Sequence, residues 1–434
     1  MDKMADVLGR AGAWCGQNKY LSAIKNAFQN FMPLTIAGAI GVLWCNVLVN
    51  DQTGLGLFFK PIMALDFLNP AFQAVNFCTI SCITVGITLG IAQEIGVWNM
   101  GAERAGYIPG LVGLAAWLSV TNTSHMVDGA KEAFTGIAGN ELGATGLFTG
   151  MIIGVLSVEL FCFFEKQDAL KIKMPEQVPP GVARAFEVLV PATITLIITA
   201  CIGSACYNLT GLYLNDVIKN GIQGPLGAVG ATIPGVMIIY LVIMLFWLVG
   251  IHGNNMLSAV KEALFTPLAL ENVEAFNKGE TPKNIINMYF LQMCGEFGGS
   301  GVTIGLVIAI MIFGKREDNK AIASLSLVPG LFNINETVTF GIPMVLNPIL
   351  GIPFVFACLV TILVGYVLTV IGFCPVACLT VPWTTPPIVF GFLACGANVM
   401  GAVTQAILIV VSTVIYVPFL ISYEKYQNKQ AVEA

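Results

Sequence analysis

Three polar clusters lie in apolar surroundings in the second half of this sequence, and their side chains could bind or activate hydroxyl groups. The first cluster runs from Trp247 to Asn255 and places His252 between two glycines. An imidazole can accept a proton from a hydroxyl group near neutral pH, and glycines let backbone groups approach a ligand. His252 is therefore a candidate catalytic residue, with Gly253, Asn254 and Asn255 as candidate ligand contacts. A helix-end histidine bonded to the backbone is the alternative interpretation.

The second cluster, from Cys294 to Thr303, is rich in glycine and precedes an apolar segment. A glycine-rich turn before a helix exposes backbone N–H groups that could bind hydroxyls or anions. Gly299 and Ser300 are candidate ligand contacts, and Glu296 is a further candidate. Tight helix packing through glycine explains the same pattern equally well. No lysine followed by serine or threonine comes after the glycines, so this is not a nucleotide phosphate loop.

The third cluster, from Pro329 to Pro343, contains Asn333, Asn335 and Glu336 within an apolar piece bounded by glycine and proline. Carboxylates and amides can form paired hydrogen bonds with the hydroxyl groups of a polyol. Because ionisable residues inside a membrane are costly, Glu336 is a candidate functional residue by default, and a structural buried glutamate is the alternative.

Aromatic residues accompany these clusters, among them Trp247, Phe332 and Trp383. An aromatic face can stack on the apolar face of a pyranose ring, although tryptophans of an interfacial belt would look the same in the sequence. Trp383 and the adjacent Thr384 lie in a segment with three prolines, which predicts a broken or extended element. The clusters together predict a binding site for a polar, uncharged, hydroxyl-rich solute.

The composition places these clusters in a membrane protein. The chain has 434 residues, of which 10% are charged and 56% hydrophobic, and its mean hydropathy is +0.82. An ordinary soluble domain has about 25% charged residues, so the surplus apolar surface here must face lipid. This excludes a cytosolic enzyme and a disordered chain, and the net charge of −5 offers no basic surface for nucleic acid. Neither the cysteines nor the histidines show metal-ligand spacing, and no cofactor or metal is predicted.

The hydrophobic pattern predicts an all-α, multi-pass architecture with eight clear crossings and several irregular pieces. The 46 glycines and 21 prolines favour the broken or re-entrant helices of transporters. Basic residues concentrate in the N-terminal lead, in the polar stretches 165–187 and 261–283, and in the tail. By the positive-inside rule, both termini are cytoplasmic. The predicted divisions are an interfacial or cytoplasmic segment 1–27, membrane halves 28–187 and 188–423, and a cytoplasmic tail 424–434.

The clusters resemble the IIC membrane component of the bacterial phosphoenolpyruvate-dependent sugar phosphotransferase system, most nearly its lactose/cellobiose/diacetylchitobiose branch. The matching segments follow the same order over nearly the whole chain and include 23–38, 142–148, 247–253, 298–305, 332–343 and 382–384. The resemblance implies a homodimer with about ten transmembrane helices and two re-entrant hairpins per chain. It also implies that the first half forms the dimer scaffold, while the second half binds sugar and moves across the membrane like an elevator.

The resemblance implies group translocation in the bacterial cytoplasmic membrane. A phosphocysteine on a separate IIB protein, supplied through IIA, HPr and enzyme I, donates its phosphate to the C6 hydroxyl of the sugar. The resemblance also implies that His252 and Glu336 contact the sugar, that one of them acts as base, and that Trp383 stacks on it. The expected sugar is a β-linked disaccharide such as cellobiose, lactose or diacetylchitobiose.

The sequence departs from the resembling family near the expected site. Thr337 stands where proline is usual, Glu296 where an apolar residue is usual, and Asn254 and Asn255 where small apolar residues are usual. An ion-coupled or facilitative sugar transporter on the same scaffold is the alternative function. An intramembrane glycosidase built on Glu296 and Glu336 is a weaker alternative, because the sequence does not fix the separation of the two carboxyl groups.

Overall fold

A computed structural model describes residue 10 and residues 13–14, 17–51, 55–125, 134–175, 177–225, 230–342 and 344–433. Pro343 and much of the predicted segment 1–27 lie outside the described residues. The described chain is predominantly helical, as the sequence predicts. A two-stranded antiparallel sheet was not predicted, and it pairs β1 (Ser124–His125) with β2 (Phe134–Thr135).

The α-helices follow one another along the chain with short breaks. They are α1 (Lys19–Leu43), α2 (Asn69–Asn76), α3 (Ile83–Met100), α4 (Ala102–Ala105), α5 (Ile108–Val120), α6 (Gly139–Leu142), α7 (Ala144–Glu165), α8 (Pro180–Thr210), α9 (Leu214–Ile218), α10 (Ile233–Leu248), α11 (Gly253–Met256), α12 (Ser258–Asn277), α13 (Met288–Gly295), α14 (Ile304–Phe313), α15 (Glu317–Leu331), α16 (Glu336–Gly341), α17 (Gly351–Val370), α18 (Val389–Ala394) and α19 (Val399–Glu433). π-Helical turns occur at Trp44–Leu48, Phe77–Ser81 and Lys219–Gln223, and 3₁₀ turns at Leu55–Leu57, Lys60–Leu68, Asp168–Leu170 and Ser300–Val302.

The fold divides into two compact units. The N-terminal unit comprises Gln17–Gly38 and Val75–Ala228, and the C-terminal unit comprises Met1–Gly16, Ala39–Ala74 and Val229–Ala434. All three polar clusters of the sequence belong to the C-terminal unit. The predicted division at 187/188 into a scaffold half and a transport half concerns function and stays a prediction.

Helices α3, α5, α7 and α8 pack against one another in the N-terminal unit. Small residues bring α3 and α5 together: a methyl group added at Gly113 would lie 2.3 Å from the side chain of Ala92. Close approach through small residues is typical of helices packed within a membrane. The fully buried ring of Trp117 lies in the apolar core of this unit.

An ionic cluster joins α4, the end of α7 and the start of α8. Arg104 and Arg184 each lie 2.9 Å from the same carboxylate oxygen of Glu165, and each also contacts Glu187. The side chain of Glu165 is only 3% exposed, so these two cations satisfy a nearly buried charge. The cluster fixes the two ends of the polar stretch 165–187 beside each other.

Helices α14, α17, α18 and α19 pack together in the C-terminal unit, and α10 packs against α17. The irregular piece predicted near 285–314 is a broken element, in which Met288–Val302 and Ile304–Phe313 meet at a bend of 59°. The segment around Trp383 is a broken element made of turns, in keeping with its prolines, and it leads into the short helix α18.

Several described helices are long and apolar enough to cross a membrane. There are five: Lys19–Leu48, Ala144–Glu165, Pro180–Thr210, Gly351–Val370 and Val399–Gln430. Two bent pairs raise the number to as many as seven, and α5 and α10 are shorter apolar helices. A multi-pass membrane protein fits these helices; the count of ten, the re-entrant hairpins and the orientation of the termini stay predictions.

Candidate functional site

The glycine-rich turn after α13 forms the base of the candidate site. Gly299 has a φ of +88°, in the left-handed region that favours glycine. A Cβ atom at this position would lie 2.6 Å from the side chain of Asn335, which packs directly on the turn. The close contact explains why the second cluster needs glycine here.

Two asparagine side chains hold the turn in place. The Asn335 side chain donates a hydrogen bond of 2.8 Å to the carbonyl of Ser300. The side-chain Oδ1 atom of Asn333 accepts a hydrogen bond of 2.7 Å from the Gly298 N–H. The side-chain Nδ2 atom of Asn333 donates to the backbone carbonyls of Trp383 and Thr385. The second cluster, the third cluster and the segment of Trp383 are thereby joined. Both amides serve the architecture of the site, and direct binding of a ligand by them stays a prediction.

His252 lies opposite Glu336 in this site. Its Nε2 atom is 3.9 Å from the Glu336 Oε1 atom, and their side chains are 37% and 47% exposed. The Nδ1 atom of His252 accepts a hydrogen bond of 3.2 Å from the Asn255 N–H at the start of α11. One nitrogen bonds the backbone at a helix end, as the alternative interpretation has it, and the other faces a carboxylate at 3.9 Å; the catalytic role of His252 stays a prediction.

The charge state of His252 follows from its surroundings. The residue lies beyond the end of the apolar helix α10, and burial lowers its pKa, while the carboxylate of Glu336 acts in the opposite direction. The neutral imidazole is therefore the favoured form near neutral pH. The ring is also packed beside the indole of Trp247, with 4.4 Å between the ring centroids.

Two buried polar atoms on residues near His252 in the chain have no hydrogen-bond partner among the described residues. They are the indole Nε1 of Trp247 and the amide Oδ1 of Asn254, a donor and an acceptor. The amide nitrogen of Asn254 donates to the Ser300 hydroxyl over 3.0 Å, so only its oxygen is unpaired. Because buried polar groups in proteins are almost always paired, such atoms call for a ligand or water. A polyhydroxylated ligand can supply both missing partners.

The remaining predicted residues differ in how open they are. Trp383 is 43% exposed, whereas Trp247 is buried and packs on His252, and stacking of Trp383 on a sugar stays a prediction. Gly253 is buried against α10, because a Cβ there would lie 2.0 Å from the carbonyl of Ile243. Asn255 is exposed, and Thr384 is half-buried.

Two further residues escaped the sequence interpretation. Lys261 belongs to the polar stretch 261–283, and its side chain is 7% exposed and forms an ion pair with Glu296, a contact that the sequence did not predict. The Tyr240 hydroxyl donates to the same carboxylate oxygen over 2.7 Å. One signal could have identified Lys261: a glutamate within an apolar segment needs a cationic or hydrogen-bonding partner.

Comparisons with known proteins agree on one relationship. The sequence profile of the family described as "Phosphotransferase system, EIIC" matches residues 25–358. The oligo-beta-mannoside-specific EIIC component of Bacillus subtilis (strain 168) is 33% identical over 441 residues, covering 100% of this chain and 97% of that protein. The cellobiose-specific EIIC component of Lactococcus lactis subsp. lactis (strain IL1403) is 29% identical over 486 residues, covering 98% of each chain.

A solved structure extends the similarity to the fold. The crystal structure of the transporter ChbC, the IIC component from the N,N'-diacetylchitobiose-specific phosphotransferase system, matches with a TM-score of 0.88 at 29% identity. The match covers 96% of each chain.

Proposed function

Because the chain belongs to the phosphotransferase system EIIC family, we propose that it carries a β-linked disaccharide across the membrane and presents it for phosphorylation. As a member of this family, it is a membrane-embedded sugar permease. The relatives named for oligo-β-mannoside, cellobiose and N,N'-diacetylchitobiose support the substrate class, because all three names denote β-linked sugars. Lactose, a β-galactoside, belongs to the same class.

The gap between His252 and Glu336 carries the proposal. At 3.9 Å, the two side chains are too far apart for a direct hydrogen bond, yet close enough for one hydroxyl group to contact both. Both side chains are partly exposed, and the indole of Trp247, whose Nε1 is unpaired among the described residues, packs beside the His252 ring. A sugar hydroxyl at this position would satisfy donors and acceptors together.

The hydrogen bonding of His252 supports Glu336 as the base. Since Nδ1 accepts from the Asn255 N–H, the neutral imidazole carries its proton on Nε2, which faces Glu336. His252 therefore donates a hydrogen bond to the sugar oxygen, and the carboxylate of Glu336 accepts the hydroxyl proton.

The phosphoryl step would proceed at the same pair of residues. The oxygen of the C6 hydroxyl attacks the phosphorus of a phosphocysteine on IIB, the O–P bond forms as the S–P bond breaks, and the cysteine leaves as thiolate. The proton of the hydroxyl passes to Glu336. The partner IIB, charged through IIA, HPr and enzyme I, is needed because the family transfers phosphate from that component.

The transport cycle is the larger part of the proposal. We infer a homodimer in lipid, with cytoplasmic termini, in which residues 188–423 move as an elevator-type transport domain against a scaffold of residues 28–187. Placement of all three clusters in one compact unit supports a distinct sugar-binding unit, whose compact bounds differ from the proposed ones because 188–228 belong to the N-terminal unit and 39–74 to the C-terminal unit.

Reconstituted vesicles test the function. With purified phospho-IIB inside, labelled cellobiose added outside should appear in the lumen only as sugar phosphate. Free labelled sugar accumulating without IIB would refute group translocation and favour an ion-coupled or facilitative transporter. Vesicles containing Glu336→Gln protein serve as the matched control for non-specific leakage.

A further inference from the structure

We propose that Glu296 is a further sugar-binding residue and helps to choose the sugar, and that Lys261 and Tyr240 hold its carboxylate in position. The inference rests on the proposed sugar-permease function and adds a second carboxylate to the site of His252 and Glu336. It also gives a role to Glu296, Lys261 and Tyr240, which the proposed mechanism does not use.

The carboxylate of Glu296 is fixed by one of its oxygens. The Tyr240 hydroxyl and the Lys261 ammonium both donate to Oε1, whereas no hydrogen bond joins Oε2 to any described residue. Tyr240 is fully buried in α10, and Lys261 is 7% exposed, so neither donor can easily leave. Glu296 is 18% exposed, so its carboxylate is not sealed off from a ligand. The Oε1 atom of Glu296 is therefore fixed by two donors, and its Oε2 atom can accept a hydrogen bond from a ligand.

The position of Glu296 in the chain brings this carboxylate to the site. Its carbonyl accepts a hydrogen bond of 3.0 Å from Gly299, so Glu296 begins the glycine-rich turn. Ser300 of the same turn bonds Asn254, two residues after His252.

Stability alone does not account for a buried ion pair at this point. Moving two charges out of water costs desolvation free energy that is about as large as the attraction between them. Apolar residues of the same size therefore often stabilise a fold equally well. Ligand binding can explain the ion pair, because a carboxylate that is already fixed in position binds a hydroxyl group without an ordering cost.

Such a carboxylate favours particular sugars. The Oε2 atom of an ionised glutamate can only accept hydrogen bonds, so it favours a ligand that has a hydroxyl or amide donor at this position. A sugar without that donor leaves a desolvated oxygen unpaired, which is how polar sites reject close analogues. Lys261 balances the charge of Glu296, so the group suits an uncharged ligand.

Four variants of the full-length protein in detergent test the proposal. Glu296→Gln removes the charge, Lys261→Met removes the partner, and the double variant Lys261→Met/Glu296→Gln replaces the ion pair by a neutral pair. Glu262→Gln is the matched control, because this neighbouring carboxylate bonds Thr266 instead. Sugar affinity is measured by calorimetry, and folding by thermal unfolding. The probes are cellobiose, mannobiose, lactose and N,N'-diacetylchitobiose, with mono-deoxy analogues of whichever binds most tightly.

Glu296→Gln should weaken sugar binding by about 10-fold to 100-fold, as expected for a hydrogen bond to a charged group. It should also bind one deoxy analogue and the parent sugar with nearly equal affinity, a change that a purely structural residue would not cause. Lys261→Met should unfold at a lower temperature, and the double variant should regain the stability without regaining affinity. Glu262→Gln should keep affinity within about twofold, because it lies outside the proposed contacts.

Recovery of sugar affinity together with stability in the double variant would overturn the proposal, since the pair would then be structural. Unchanged discrimination among the deoxy analogues in Glu296→Gln would also overturn it. Retained affinity in Glu296→Gln, with affinity lost in Glu336→Gln, would refute this inference and leave the proposed function intact. Absence of sugar binding by the wild-type protein would overturn both.

Discussion

Glu336→Gln separates the two roles assigned to this carboxylate. The side chain is 47% exposed and makes no direct hydrogen bond with His252 across their 3.9 Å gap, so its loss removes little from the fold itself. The amide keeps the shape of the carboxylate but loses its charge and its capacity to take a proton. A hydrogen bond to a charged group contributes about 1.5–3 kcal/mol, which corresponds to a loss of about 10-fold to 150-fold in sugar affinity.

Glu336→Gln should reduce the rate of phosphoryl transfer more than it reduces sugar affinity. General base catalysis contributes about 10²-fold to 10⁴-fold, and this factor is lost even when the sugar is saturating. Sugar affinity is measured by calorimetry on detergent-solubilised protein, and sugar phosphate is quantified in vesicles that contain excess phospho-IIB. His252→Gln is the comparison, because an amide can still donate to the sugar oxygen. We expect it to weaken affinity while turnover at saturating sugar stays within about 10-fold of the wild-type value.

Three results would refute this reasoning. Wild-type affinity in Glu336→Gln would remove the residue from the sugar site. A turnover loss confined to His252→Gln would reverse the assignment of donor and base. A large fall in the unfolding temperature of Glu336→Gln would show that the carboxylate stabilises the fold, contrary to its exposure.

Three further substitutions test other parts of the structure. Trp383→Ala should weaken sugar binding by about 2-fold to 10-fold through loss of ring stacking, with little change in unfolding temperature, because the residue is 43% exposed; equal losses of both would refute a role in stacking. Gly299→Ala should lower stability by about 2 kcal/mol or more in thermal unfolding, since its Cβ would meet Asn335 at a left-handed φ; wild-type stability would show that the turn can relax. Arg184→Met should also lower the unfolding temperature, because nearly buried Glu165 would keep only one cation; an unchanged value would show that one arginine suffices.

The sequence predicted the location of the site better than the duties of its residues. His252, Glu336 and Trp383 could be singled out because polar or aromatic residues in apolar, glycine-rich surroundings are unusual. The broken element after Met288 could likewise be predicted, since glycines and an apolar run do not make one straight crossing. The pairing of His252 with Glu336 could not be derived from spacing, because the 83 residues between them leave their distance undetermined.

The asparagines show why chemistry read from residue type alone stays ambiguous. Asn333 and Asn335 carry the same side chain and flank the same carboxylate, which suggested that both amides face a polyol. In the structure they donate to backbone carbonyls of the turn and of the Trp383 segment. An amide suits backbone and sugar equally well, and only the fold decides which of the two is within reach.

The burial of Lys261 could not be predicted from its neighbours in the sequence. A lysine in a polar stretch counts toward topology when the sequence is read by charge density, and nothing in its neighbours distinguishes it from the lysines further along. Its burial follows instead from a distant residue, Glu296, which cannot remain charged in apolar surroundings without a partner. Glu296, which departs from the resembling family, thus explains why Lys261 is buried. Scarce charges in a membrane chain are best interpreted in pairs, because each buried member requires the other.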